Sequence, residues 1–123
     1  MISVAVVGAA GRMGRMLIQA VLDTTDGSVA LHGVVGNEGS AAIGQDAGLL
    51  AGRPACGVAV SDDPVPLFAT ADAVVDFTRP EVSVRFAALA AQGKAVLVTG
   101  TTGFAAEDLA ALGRAERHTP IIQ

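Results

Sequence analysis

Apolar and polar residues alternate along the chain in blocks, with short apolar runs separated by longer segments that carry helix signals. The apolar runs predict six buried strands, at residues 4–7, 29–35, 58–60, 71–77, 95–99 and 120–122. Helical segments between successive strands are typical of parallel sheets with right-handed crossovers. The pattern therefore predicts an α/β fold, a doubly wound parallel sheet with strand order 3-2-1-4-5-6.

The predicted helices are marked by apolar spacing and by residues typical of helix ends. After the first strand, apolar residues recur at helical spacing: Met13, Leu17 and Val21. After the fourth strand, a small apolar face is predicted from Val84, Ala87, Ala88 and Ala91. Asp62-Asp63-Pro64 predicts the start of a short helix that reaches Phe68. Thr78 is expected to cap the helix that has Pro80 in its first turn. A last helix is predicted at residues 105–116.

The pattern weakens between the second and third strands. Ser40–Gly52 holds small residues and glycines without a clear period, and Arg53-Pro54 closes the segment. We expect a surface excursion with one short helical turn.

The first strand runs directly into a glycine-rich turn, Gly8–Gly14. Gly8 tolerates backbone angles that a side chain forbids, and Gly11 leaves the helix N-terminus open to a pyrophosphate. Gly14 allows the helix to lie close to the strand. The spacing G-x-x-G-x-x-G differs from the commoner G-x-G-x-x-G, but strand, turn and helix occur in the required order. We predict a Rossmann-type dinucleotide-binding domain, with a glycine-rich structural turn as the alternative.

Polar residues also follow two later strands, at the edge where ligands bind in open α/β sheets. The segment Gly100–Phe104 offers backbone donors and threonine oxygens there, and a purely structural turn is its alternative. Asp76 ends the fourth strand, where a buried acid is unusual. Its carboxylate is either a satisfied acceptor that fixes a neighbouring loop, which we favour, or a site residue.

An acid near the end of the second strand usually accepts hydrogen bonds from the adenosine ribose of a dinucleotide. Here the strand is followed by Gly36-Asn37-Glu38. Either Glu38 reaches back to the ribose or no carboxylate performs this task.

The remaining polar side chains do not predict a metal or acid–base site. Helix capping explains Asp62 and Asp63 with fewer assumptions than such chemistry. His32 has no other ligand type at metal spacing, and His118 is assigned no role. No metal site is expected.

Composition narrows the classes of function. A single domain of 123 residues with a formal charge of −4 does not predict a nucleic-acid-binding surface. Tyr and Trp are absent and the four Phe residues lie in apolar runs, so bases have no stacking platform. One cysteine, Cys56, excludes an internal disulfide and favours a reduced, cytoplasmic setting. Apolar runs are shorter than the ~18 residues that span a bilayer, so a soluble protein without membrane contact is expected.

Three separated motifs occur together in one known family: VAVVGAAGRMGRML at Val4–Leu17, VDFTRPE at Val75–Glu81 and VTGTTGF at Val98–Phe104. With this combination the chain resembles the amino-terminal, cofactor-binding domain of dihydrodipicolinate reductase, an enzyme of bacterial and plant lysine synthesis. The resemblance covers essentially the whole chain.

The resemblance implies a set of cofactor-binding positions: Gly8, Ala9, Ala10, Gly11, Arg12, Met13, Gly36, Asn37, Phe77, Thr78, Gly100, Thr101 and Thr102. It also implies that Thr102 lies near the substrate. The implied cofactor is NADH or NADPH, whose hydride reduces a cyclic imine or its hydroxylated precursor to tetrahydrodipicolinate. The family often has a Glu-Arg pair for the ribose and 2′-phosphate where this sequence has Gly36-Asn37, which leaves the cofactor preference open.

The resemblance also implies that no catalytic residue lies in this chain. The family's catalytic segment, a paired His followed by Lys and a Pro-Ser-Gly-Thr run, belongs to a second domain. We therefore expect residues 1–123 to form a dinucleotide-binding domain, truncated before the catalytic domain and inactive alone. For the full-length enzyme the resemblance implies a small dicarboxylate substrate and a homotetramer formed through that second domain.

Two other functions are compatible with the residues. One is the cofactor domain of another amino-acid dehydrogenase, such as a homoserine or aspartate-semialdehyde type. The other is a stand-alone module that senses NAD(H) without catalysis. Sequence beyond Gln123 would distinguish the dehydrogenases, and ligand-dependent association with a partner would favour the sensor.

Overall fold

The computed structural model describes residues 1–9, 11–36 and 39–123, and within them six strands alternate with five helices. The strands are β1 (Ile2–Val7), β2 (Val29–Val35), β3 (Val60–Ser61), β4 (Ala73–Asp76), β5 (Val96–Thr99) and β6 (Ile121–Ile122). The helices are α1 (Arg12–Asp23), α2 (Ala47–Leu50), α3 (Val65–Thr70), α4 (Pro80–Gly93) and α5 (Ala106–Glu116). Both ends of each strand lie within two residues of the predicted ends.

The strands form one sheet in the order β3-β2-β1-β4-β5-β6, and every neighbouring pair is parallel. This confirms the predicted α/β fold and strand order. The chain moves outward from β1 in one direction to β3 and in the other to β6, so the sheet has a switch point between β1 and β4. Ligands of doubly wound sheets bind at such a point, outside the carboxyl ends of the strands.

Two hydrophobic clusters cover the two faces of the sheet. Successive residues of a strand point to opposite faces, so Val7 belongs to one cluster and Val6 to the other. The first cluster includes Phe68 and Phe86, whose stacked rings have centroids 5.5 Å apart. The second includes Ile18 of α1. The helices therefore pack on both faces of the sheet, as the crossovers require.

The helix predicted from the spacing of Met13, Leu17 and Val21 is confirmed as α1. It buries Gly14 and Ile18, whereas Met13 is 41% exposed. The glycine side of the helix faces the residues that follow β1, since a Cβ atom at Gly14 would overlap the Gly8 carbonyl oxygen.

The buried face of α4 is displaced by about one residue from the predicted one. It consists of Ser83, Phe86, Ala87 and Ala90, whereas Ala88 is exposed and was wrongly predicted to face the core. Stacking of Phe86 on Phe68 and a buried polar contact of Ser83 set this rotation.

The segment between β2 and β3 packs onto the protein more closely than the predicted surface excursion. Its short helical turn is confirmed as α2, but Ala42, Ala47 and Ala51 are buried in the second cluster. Asp46 fixes the segment, because its carboxylate accepts hydrogen bonds from backbone N–H groups on both sides: Gly48, Leu49, Cys56 and Gly57, at 2.8–3.2 Å. These bonds, foremost that of Cys56, lower the pKa of Asp46 to about 2.

In the part of the chain that the structure describes, the helices are too short or too polar to cross a membrane. The described residues also contain no group of three or more His, Cys, Asp or Glu side chains that could hold a metal ion. His32 is exposed, and its Nε2 lies 2.7 Å from the Thr70 hydroxyl oxygen.

We expect the stabilising effect of Asp46 to disappear in acid. Its pKa falls from an ordinary 3.8 to about 2 on folding, so its contribution is present above about pH 4 and is lost as the pH falls toward 2. The difference in urea midpoint between the unaltered chain and Asp46→Ala is therefore expected to be clear at neutral pH and much smaller at about pH 2.

Glu116→Ala, at an exposed position of α5, is the control and is expected to show a small difference at both pH values. A difference for Asp46→Ala that stays constant or grows in acid would contradict this account of Asp46.

Candidate functional site

Four neighbouring strands end at one level of the sheet. Val7 pairs with Val35 on one side and with Asp76 on the other, and Asp76 pairs with Thr99. The loops that follow these residues therefore start side by side, about 4.8 Å apart from strand to strand. Their first residues, in spatial order, are Gly36, Gly8, Phe77 and Gly100. The fold thus brings the predicted site segments to one edge.

The glycine-rich turn begins with a left-handed residue. Gly8 has φ +85°, a conformation that the other residue types rarely adopt. A Cβ atom at Gly8 would also lie 3.2 Å from Thr78 Cγ2 and 3.3 Å from the Phe77 carbonyl oxygen. The turn is held from the other side by Val35, whose carbonyl oxygen accepts hydrogen bonds from the N–H groups of Gly8 and Ala9. Gly8 therefore lies wedged between the ends of β2 and β4.

The N-terminus of α1 is open. Gly11 is its N-cap residue and offers no side-chain hydrogen bond, and the first turn contains no acidic residue. A Cβ atom at Gly11 would meet only the Gly8 carbonyl oxygen, at an ordinary 3.5 Å. Unpaired N–H groups and the helix dipole make such an end attractive to anions. Arg12 and Met13, in the first turn, are both exposed.

Gly14 allows this helix to start against the strand. A Cβ atom at Gly14 would overlap the carbonyl oxygen of Gly8 and come within 3.0 Å of Ala9 Cα. The close approach predicted from the glycine spacing is therefore confirmed, and its contact is with the turn itself.

The loops after β4 and β5 are joined by three contacts. The Thr78 N–H donates a hydrogen bond of 3.0 Å to the Thr101 hydroxyl oxygen, and the Gly100 N–H donates one of 2.8 Å to the Asp76 carbonyl oxygen. Gly100 also lies against the ring of Phe77, where a Cβ atom would overlap Cε1 and Cζ. The two loops therefore form one surface. Thr102 extends from it, exposed.

Asp76 lies beneath this surface and is fully buried. Hydroxyl groups from β5, from α4 and from the loop after β4 donate to its carboxylate: Thr99, Ser83 and Thr78. The favoured interpretation, a satisfied acceptor that fixes a neighbouring loop, is confirmed. The predicted capping of α4 by Thr78 is wrong, because the Thr78 hydroxyl donates to Asp76. Arg79 occupies the N-cap position, and its side chain makes no capping hydrogen bond.

A crevice of about 390 Å³ lies on the β2 side of the turn, and the sequence did not point to most of its residues. It is lined by Val35, Gly36, Asp62, Pro64, Arg79, Val82, Arg85 and Phe86. Two cations and one acid thus stand around Gly36. These charged residues are far from Gly36 in the sequence, so the sequence alone does not indicate that they line one crevice with it.

Some predicted residues lie elsewhere. Asp63 accepts a hydrogen bond of 3.1 Å from the N–H of Val65 at the start of α3, which confirms a capping role, whereas Asp62 lines the crevice. Ala10, Asn37 and Glu38 lie outside the described residues.

Residues 2–123 match the family model described as "Dihydrodipicolinate reductase, N-terminus". A 4-hydroxy-tetrahydrodipicolinate reductase of Allorhizobium ampelinum is 51% identical over 96% of this chain and 43% of its own length. The chain resembles the structure of a dipicolinate-bound dihydrodipicolinate reductase from Paenisporosarcina sp. TG-14, with a TM-score of 0.70 and 27% identity, over 94% of this chain and 43% of that one. The structure of an amine dehydrogenase from Mycobacterium smegmatis is also similar, with a TM-score of 0.69 and 27% sequence identity. The similarity covers 80% of this chain and 29% of the dehydrogenase chain. The chain thus spans less than half the length of these proteins.

We expect Gly14→Ala to destabilise the fold, by about 1–3 kcal/mol in the free energy of unfolding, because its methyl group overlaps backbone atoms. Gly113→Ala is the matched control: the same change on an exposed face of α5, with no atom within 4 Å of the new Cβ, is expected to stabilise by up to about 1 kcal/mol. Urea denaturation measures both values, and effects of the same sign and size would refute the close approach.

Proposed function

Because this chain belongs to the dihydrodipicolinate reductase family, we propose that it binds a nicotinamide dinucleotide, NADH or NADPH, along the carboxyl edge of its sheet. The observation that carries the proposal is the placement of two glycines at the switch point of the sheet. Gly8, with φ +85°, directly follows a buried strand, and Gly11 is the N-cap residue of a helix without a side-chain cap.

The pyrophosphate fits the open N-terminus of α1. Gly11 leaves free space beside that end, and the first turn contains no carboxylate to compete with an anion. In this proposal the backbone N–H groups of Arg12 and Met13 bind the phosphate oxygens. The Arg12 guanidinium adds a positive charge at the same end.

The nicotinamide half is proposed to lie over the joined loops after β4 and β5. Phe77 offers an apolar ring there, and Gly100–Thr102 offers backbone groups and a hydroxyl. Because the loops are bonded to each other, they form a prearranged surface whose ordering need not accompany binding.

The adenosine half is proposed to occupy the crevice beside Gly36. Val35, Pro64 and Val82 supply apolar contact for a base, and Arg79 and Arg85 supply positive charge near the ribose. Gly36 offers no carboxylate to repel a 2′-phosphate. Asp62 is the acid in the described wall of the crevice, at the end of β3.

For the parent enzyme, we propose reduction of dihydrodipicolinate, or of its hydroxylated precursor, to tetrahydrodipicolinate. The bound cofactor supplies the hydride, and this domain fixes the nicotinamide ring against the substrate, with Thr102 near it. The proton donor and most carboxylate-binding groups are proposed to lie in a second domain, so residues 1–123 alone bind cofactor without turnover. A cytoplasmic homotetramer assembled through that domain completes the proposal.

We expect Gly11→Val to abolish NADH binding without unfolding the chain. Gly11 has φ −73° and open space beside it, so the valine is tolerated, but its side chain occupies the position of the pyrophosphate. Calorimetric titration with NADH measures the loss. Gly113→Val adds the same side chain on α5 and is expected to retain the affinity of the unaltered chain. A folded Gly11→Val protein with unchanged affinity would exclude the proposed site.

We expect the affinities for NADH and NADPH to differ by no more than about tenfold, equivalent to about 1.4 kcal/mol. Gly36 provides neither a carboxylate nor a cation, and the acid Asp62 opposes the charge of the two arginines in the crevice. A hundredfold preference would contradict this.

Removing both crevice cations with Arg79→Gln/Arg85→Gln is expected to lower the affinity for NADPH more than the affinity for NADH, since the 2′-phosphate is doubly charged. Arg114→Gln/Arg117→Gln, the same charge change at the end of α5, is the control.

A further inference from the structure

The buried carboxylate of Asp76 is held by hydroxyl groups from three separate segments. Thr78 donates to Oδ1 at 2.6 Å, Thr99 of β5 donates to Oδ2 at 2.9 Å, and Ser83 of α4 donates to Oδ2 as well. Asp76 and Ser83 have no exposed surface, and Thr99 has almost none. The carboxylate is therefore a junction between the sheet, the helix α4 and the loop that joins them.

Among the described residues, the ion pairs are Arg53–Asp23 and Arg79–Glu81, and Asp76 belongs to neither. Hydrogen bonds therefore compensate for its burial, because a buried polar group is costly unless its oxygens are supplied with donors. The three hydroxyl donors provide this supply.

A count of protons extends the network to Thr101. Its hydroxyl oxygen accepts from the Thr78 N–H at 3.0 Å and lies 2.8 Å from Ser83 Oγ. A hydroxyl group has one proton. Since Ser83 uses its proton on Asp76, Thr101 donates its own proton either to Ser83 Oγ or directly to Asp76 Oδ2, which lies 3.4 Å away. All four hydroxyl protons are then used inside the network.

This arrangement of hydrogen bonds determines which threonine hydroxyl groups of the candidate site can donate a hydrogen bond to a ligand. The hydroxyl protons of Thr78 and Thr101 are already donated inside the protein. Thr102, in contrast, is exposed, and its hydroxyl group takes no part in the network around Asp76. Thr78 and Thr101 therefore shape the surface, and Thr102 is the threonine whose hydroxyl proton is available to a ligand.

We propose that Asp76 is a positioning residue for the nicotinamide half of the dinucleotide: through Thr78, Ser83 and Thr101 it holds the loops after β4 and β5 in the geometry that receives the nicotinamide ring. This proposal rests on the proposed function. In it, the buried Asp76 side chain does not contact the ligand and acts through the residues to which it is hydrogen-bonded. The N-terminus of α1 contributes no group to this network. The adenosine crevice meets it through α4, which carries Ser83 as well as Val82 and Arg85.

The test compares two ligands, NADH and ADP-ribose, which lacks the nicotinamide. Asp76→Asn keeps the shape of the side chain but replaces one acceptor oxygen with a donor, so the hydroxyl protons no longer all find acceptors. We expect this variant to bind NADH about tenfold more weakly and ADP-ribose no more than about twofold more weakly, because the apolar face of α4 also holds that helix on the sheet. A purely structural role would weaken both ligands equally, and that result would overturn the proposal.

Variants at Thr101 test the proposal if Asp76→Asn does not fold. Thr101 is only partly buried, and Thr101→Val keeps its size while removing the hydroxyl group. We expect it to reproduce the selective loss of NADH affinity, and Thr101→Ser to restore it. Thr119→Val is the control, because it removes a buried hydroxyl that bonds the Ala95 carbonyl oxygen, outside the network.

Titration of the unaltered chain with NADH tests the proposed function separately. If it binds NADH and the Asp76 and Thr101 variants bind it equally well, the positioning role is wrong and the proposed function stands. If it binds neither NADH nor ADP-ribose, both proposals are overturned.

Discussion

The shared end point of four parallel strands is the constraint on which the candidate site depends. Val35, Val7, Asp76 and Thr99 are cross-strand partners, so the loops that follow them emerge together. A shift of one residue in a strand would turn its side chains to the opposite face. Asp76 would then lose its contact with Ser83 of α4. The register thus decides both which loops meet and whether the acid beneath them is satisfied.

The elements set by local chemistry could be predicted from the sequence. Apolar runs placed the six strands, and their alternation with helices gave the strand order. The glycines at positions 8 and 14 could be assigned specific tasks, because a tight turn and a close helix approach exclude side chains for reasons that are visible locally. The predictions that depend on a bound cofactor, including those for Gly36, Phe77 and Gly100–Thr102, stay predictions.

What could not be predicted is set by contacts between distant segments. The inner face of α4 was displaced because Phe86 stacks on Phe68, a partner that helical spacing alone does not identify. Ser83 and Thr99 are ordinary helix and strand residues in the sequence, and only the register places both at Asp76. The cations of the crevice were missed for a similar reason, since Arg85 lies far along the chain from Gly36.

The arrangement around Asp46 has a consequence for local motion. Four backbone amides that lie up to nine residues apart, those of Gly48, Leu49, Cys56 and Gly57, share one acceptor. Amide hydrogens exchange with solvent when their hydrogen bonds open, and a single opening that frees this carboxylate exposes all four. These four amides are therefore coupled in their exchange with solvent, although two of them lie in α2 and two lie beyond its end.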